Sequence, residues 1–129
     1  MFKDTKAFSG FAVDDLDAAR EFYGTVLGLD VRAEPAGLLT LNLAGGARPT
    51  LVYPKPDHEP ATYTILNFPV DDIDSAVDAL IERGVAFEMY DGFDQDERGV
   101  ARNVEGPPIA WFRDPAGNIL SVLEAPGPS

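Results

Sequence analysis

Four aspartates stand in two adjacent pairs, Asp14 with Asp15 and Asp71 with Asp72, 57 residues apart. Neighbouring carboxylates can share a proton, which is the chemistry of a catalytic acid–base pair. Each pair also precedes an apolar stripe. There a carboxylate meets the partial positive charge of a helix N-terminus, an interaction of ~0.3–1 kcal/mol when exposed. Capping is therefore the expected role, ahead of catalysis. The single histidine, His58, lies between Asp57 and Glu59 and reads as a solvated linker residue. One imidazole and no cysteine exclude thiolate sites, disulfides and any site that needs two histidines from one chain. Asp91, Asp94, Asp96 and Glu97 lack the spacing of a calcium-binding loop and read as an exposed acidic lid. The glycines of "GARPT" and "GTVLGL" lack the spacing of a phosphate-binding loop.

The elements that must position these residues come in two copies. "FAVDDLDAA" (11–19) and "FPVDDIDSA" (68–76) agree at six of nine positions, so one unit is used twice. In the first copy, residues 6–13 read as a strand. Leu16, Ala19, Tyr23, Val26 and Leu27 then form a helical stripe that ends at Gly28. Short apolar segments at 29–34, 37–45 and 49–54, separated by proline and glycine, complete a βαβββ order. The second copy offers a strand at 62–70, a helix with the stripe Ile73, Ala76, Val77, Leu80 and Ile81 ending at Gly84, and strands at 85–90, 108–113 and 118–125. A long loop, 91–107, interrupts it. In "DPAGN" (114–118), Pro115 presets a turn and Gly117 can take the left-handed conformation; the resulting antiparallel hairpin sets Trp111 opposite Ser121.

A chain of 129 residues with 45% hydrophobic side chains fits one domain, with module 1 at 1–54, a linker at 55–61 and module 2 at 62–129. The formal charge of −12 repels phosphate backbones and anionic lipid, so neither nucleic acid nor membrane is an expected partner. No apolar run approaches the ~20 residues of a membrane span, and no signal-like segment is visible at the start; a cytoplasmic location is expected.

The βαβββ duplication, the "VDDLDAAREFYGTVLGL" junction and the closing "IAWFRDPAGNILSVLEA" together resemble the vicinal oxygen chelate superfamily of glyoxalases, bleomycin-resistance proteins and extradiol dioxygenases. The resemblance implies an α+β fold of two βαβββ modules whose mixed sheets curve into a cup, helices outside, commonly as a homodimer. In metal-using members, ligands from the first and last strands of both modules hold a divalent cation. Transferred one at a time, those positions fall on Phe8, Leu51, Ile65 and Ser121. Three lack a donor atom and the fourth is a poor ligand alone, so no metal or other cofactor is expected.

Strand alternation then gives the lining of the cup: Phe8, Asn42, Leu51, Tyr53, Ile65, Asn67, Tyr90, Trp111 and Ser121, with Thr40, Glu88 and Ile109 beside them. Aromatic surface with a few hydroxyls and amides suits a small organic ligand. The leading expectation is a metal-independent binder of an aromatic or natural-product-like small molecule. The alternatives are a divergent glyoxalase-like or dioxygenase-like enzyme, with Tyr53, Tyr90 or Glu88 as acid or base if it is metal-free, and a scaffold whose cup is filled by its own side chains.

Overall fold

The second aspartate of each pair ends as a helix cap. In the computed structural model, which describes residues 1–102 and 106–125, Asp15 Oδ1 accepts from the Ala18 N–H at 3.1 Å. Asp72 Oδ1 accepts from the N–H groups of Asp74 at 3.0 Å and Ser75 at 3.3 Å. The second helix has an additional acceptor: Glu124 Oε2 takes the Ile73 N–H at 3.1 Å. Amide donors that a helix start leaves open are thus met by carboxylates, the arrangement its dipole favours.

The chain forms two compact units, Met1–Glu59 and Pro60–Ser129. In the first, β1 (Ser9–Val13) leads to α1 (Leu16–Glu21), which widens into a π-helical turn at Phe22–Val26. Then come β2 (Val31–Glu34), β3 (Leu38–Leu43) and β4 (Arg48–Pro54). The sheet order is β1-β4-β3-β2, parallel between β1 and β4 and antiparallel elsewhere. By register, Val13, Leu39, Leu41 and Val52 share a face, all are buried, and α1 contacts β3 and β4. Tyr23 is fully buried and its ring meets Phe11 at 5.7 Å.

In the second unit, β5 (Thr64–Val70), α2 (Ile73–Glu82), β6 (Ile109–Arg113) and β7 (Ile119–Glu124) form a sheet of order β5-β7-β6, parallel between β5 and β7. Ile73 and Val77 of α2 pack with Val100, Ala110 and Val122 in one buried cluster. The hairpin between β6 and β7 closes as its residues predict. Gly117 has φ +87° and donates its N–H to the Asp114 carbonyl at 3.0 Å, and Asp114 N donates to the Asn118 carbonyl at 3.0 Å. Asp114 Oδ1 also accepts from Ala116 N and Asn118 N, at 3.0 and 2.8 Å, so this buried carboxylate is spent on the turn. Trp111 pairs with Ser121, as the hairpin register requires.

Two elements differ from expectation. The segment 85–90 is not a strand; it keeps a single bridge, Phe87 with Phe112, and one further ladder bond from Glu88 N to the Trp111 carbonyl at 2.8 Å. The Gln95 side chain is the reason. Its Oε1 accepts from Tyr90 N at 2.7 Å, and its Nε2 donates to the carbonyls of Glu88 at 2.9 Å and Gly99 at 2.8 Å. One carboxamide thus satisfies the backbone groups that a neighbouring strand would otherwise take.

The acidic loop is the other. Asp91, Asp94 and Glu97 are exposed, but the segment beyond them is a docked strap, since Val100 and Ala101 are buried and Ala101 pairs with Ile109. Asp96 Oδ1 accepts from Arg98 N at 2.9 Å and Val100 N at 3.0 Å, closing a turn at its own position. Residues 103–105 of the expected loop lie outside the described residues.

Candidate functional site

Across the sheet of the second unit, Asn67, Ser121 and Trp111 stand side by side, because β7 pairs Ser121 with both of the others. Ser121 is fully buried and donates its hydroxyl to Asn67 Oδ1 at 2.5 Å. Phe112 and Phe87 turn to the opposite face, where Phe87 packs against the core cluster. That leaves Glu88, Tyr90, Trp111 and Arg113 together: Arg113 Nε donates to Glu88 Oε1 at 2.7 Å, and the Tyr90 ring meets Trp111 edge to face at 5.4 Å. Ile65 sits where the β5 register shifts, between Thr64 and Leu66.

A third ring completes the group. Phe93 lies 5.1 Å from Trp111 at a tilt of 48°, yet keeps 45% of its surface exposed. Sequence reasoning did not select it. The available signal was a phenylalanine among Asp91, Gly92 and Asp94, a position with no structural periodicity to explain an aromatic side chain.

Tyr90 carries the most unusual polar atom of the group. Its hydroxyl is buried and has no hydrogen-bond partner among the described residues. Burial raises its pKa; Arg113 opposes this and Glu88 adds to it, so the phenol keeps its proton at neutral pH. The Arg113 guanidinium is stabilised in its charged form chiefly by the hydrogen bond to Glu88.

In the first unit, the sheet face away from α1 holds Leu51 and Tyr53 of β4 with Thr40 and Asn42 of β3. Gly10 faces Leu51 so closely that a Cβ there would stand 3.0 Å from the Leu51 carbonyl oxygen. The polar groups on this face have local partners: Thr40 Oγ1 donates to Glu34 Oε2 and Asn42 Nδ2 to Asp30 Oδ2, each at 3.3 Å. Phe8 precedes β1 and is 64% exposed. His58 belongs to a connector turn, its N–H on the Lys55 carbonyl at 2.9 Å, beside an exposed Lys55–Asp57 ion pair.

The family model of the Glyoxalase/Bleomycin resistance protein/Dioxygenase superfamily matches residues 8–122, and the chain belongs to that superfamily. Its fold is that of a genomically encoded fosfomycin resistance protein, FosX, from Listeria monocytogenes, with a TM-score of 0.70 at 13% identity over 93% of this chain and 92% of that one. It is similar to TnmS3, an antibiotic binding protein from Streptomyces sp. CB03234: 26% identity, TM-score 0.66, 93% and 96% of the two chains. It is also similar to a glyoxalase/bleomycin resistance protein from the same Streptomyces strain: 27% identity, TM-score 0.60, 91% and 99% of the two chains. Among curated proteins none matches this sequence. No helix of the described residues is long and apolar enough to cross a membrane.

The metal that the superfamily implies does not fit the four positions where its ligands would fall. Phe8, Leu51 and Ile65 offer no lone pair, and the Ser121 hydroxyl is committed to Asn67. Among the described residues, no three histidine, aspartate or glutamate side chains gather as a metal site.

Proposed function

We propose that this protein binds a small aromatic, natural-product-like molecule without a metal, as a cytoplasmic homodimer. Phe8, Asn42, Leu51, Tyr53, Ile65, Asn67, Tyr90, Trp111 and Ser121 form its ligand-facing residues. The observation that carries the reading is the row Trp111–Ser121–Asn67 with the Tyr90 and Phe93 rings against the indole. A half-exposed aromatic wall beside the exposed Asn67 amide, which Ser121 holds in place, gives burial and stacking for affinity and a polar group for orientation. The likeness to an antibiotic binding protein at 26% identity supports the same ligand class.

Trp111 is the only tryptophan, so its fluorescence reports directly on this wall. Titration with a panel of aromatic antibiotics should quench it saturably and raise the melting temperature, with the metal chelator EDTA making no difference. Trp111→Ala should weaken the best ligand at least about tenfold, the scale of one lost aromatic contact at a binding site. A stoichiometric divalent ion whose removal abolishes binding would sink the metal-free reading. A panel without a single saturable ligand would sink ligand binding itself.

A further inference from the structure

A buried hydroxyl without a partner is uncommon in folded proteins, because leaving a buried donor unsatisfied costs roughly 1–3 kcal/mol. Among the described residues Tyr90 is such a case, and a phenylalanine would fill the same space without that cost. The hydroxyl is not needed to place the ring. Tyr90 is held by its backbone, whose N–H goes to Gln95 Oε1 at 2.7 Å, and by the edge-to-face contact with Trp111. We infer that Tyr90 is the specificity-determining donor of the aromatic site, and that the ligand class it selects is a planar aromatic bearing a hydrogen-bond acceptor, such as a ring-attached carbonyl.

The inference rests on the aromatic-ligand reading above. It also requires a wall that can yield, since the hydroxyl is shielded in the free protein. The turn beside it has that property. Asp91, Gly92, Phe93 and Asp94 are all exposed, Gly92 stands at φ +90°, and Phe93 N reaches the Tyr90 carbonyl at a long 3.4 Å. Gln95 fixes the far end of this turn, so displacement of the Phe93 ring from Trp111 leaves the strap docked. The neighbouring charges bear on the ligand as well. Arg113, the cation seen beside this group among the described residues, is already paired with Glu88, and the chain carries a net charge of −12, so a neutral acceptor suits the site better than a carboxylate.

The test uses two neutral probes of nearly equal size, 2-acetylnaphthalene, which carries a carbonyl, and 2-ethylnaphthalene, which does not. Equilibrium dialysis against the full chain should show the acetyl compound binding about tenfold tighter, the scale of one hydrogen bond gained by a shielded donor. Tyr90→Phe should erase that preference, bringing the affinities of the two probes within about twofold of each other. The same variant should melt at or above the wild-type temperature, because it removes an unsatisfied donor. A lower melting temperature would show that the hydroxyl serves the fold, and would overturn the inference. Equal binding of the two probes to the wild type would overturn it too, while leaving the aromatic site standing. If neither probe binds, the aromatic site and the inference fall together.

Discussion

The two units began as the same βαβββ pattern and differ most at one strand. In the first, β2 pairs with β3 over four residues, Val31 with Leu41 through Glu34 with Leu38. In the second, the corresponding strand has shrunk to the Phe87–Phe112 bridge, and the strap of residues 95–102 lies docked nearby. The unit with the complete strand meets its polar face locally, through Thr40–Glu34 and Asn42–Asp30. The unit that gave up the strand gained Gln95 as a bracket and Phe93 as a third ring on Trp111. A repeated fold can thus leave one copy regular and change the other by replacing ladder hydrogen bonds with side-chain ones.

The largest test of this contrast removes the bracket. Gln95→Ala leaves Tyr90 N, Glu88 O and Gly99 O without their partner, so urea unfolding should show a loss of roughly 1–3 kcal/mol, with the Trp111 emission shifted toward that of a wetter indole. The matching change in the regular unit, Asn42→Ala, keeps the bond from Asn42 N to the Asp30 carbonyl and should cost clearly less. Equal losses would erase the distinction drawn between the copies.

A smaller effect follows at Gly99. Its φ of +95° disfavours any side chain, and a Cβ would stand 3.0 Å from Phe87 Cβ. Gly99→Ala should destabilise by roughly 1–2 kcal/mol and raise hydrogen exchange along 95–101. An unchanged melting temperature would mean the strap is not held at that point.

The smallest effect is the outer latch. Arg98 bonds to Asp74 and, at 2.7 Å, to Asp78, while Arg102 also reaches Asp74. The hydrogen bond from Arg98 holds the Asp74 carboxyl below its ordinary value, with burial opposing and Arg102 reinforcing. Asp96 is pushed up by burial, but the N–H groups of Val100 and Arg98 and the nearby arginines outweigh this, and its carboxyl is lowered as well. Carboxyls lowered in the folded state bind fewer protons than in the unfolded chain, so their stabilisation is present above the ordinary carboxylate range near pH ~4 and is lost as pH falls through the depressed values. Amide exchange at 96–102 should therefore rise selectively in that acid window and with added salt, before the first unit responds. An acid response that begins equally in both units would remove the latch from the account.

Much of this was legible because local physics repeats. The Asp15 and Asp72 caps, the two helices, the left-handed Gly117 and the Trp111–Ser121 pairing each depend on residues close in sequence or on the strict alternation of a strand. Thr40 and Asn42 were correctly placed opposite Leu39 and Leu41 for the same reason. The strand expected at 85–90 failed because its alternation is real, while its backbone partners are supplied by a side chain several residues on. The acidic loop misled through composition: charge suggested a solvated lid, yet one of its carboxylates, Asp96, pairs with Arg98 and closes a turn.

The duplication, the superfamily, the helix starts and, away from the register shift at Ile65, the faces of the strand residues were all readable from the chain, since these follow from short periods and from caps within one helical turn. Folding in three dimensions was needed for Gln95 to replace a strand, for Arg98 to bind Asp74, 24 residues away, and for Phe93 to rest on Trp111 beside a hydroxyl with no partner among the described residues. Those contacts depend on how a loop closes, and loop closure leaves no period in the chain for the eye to read.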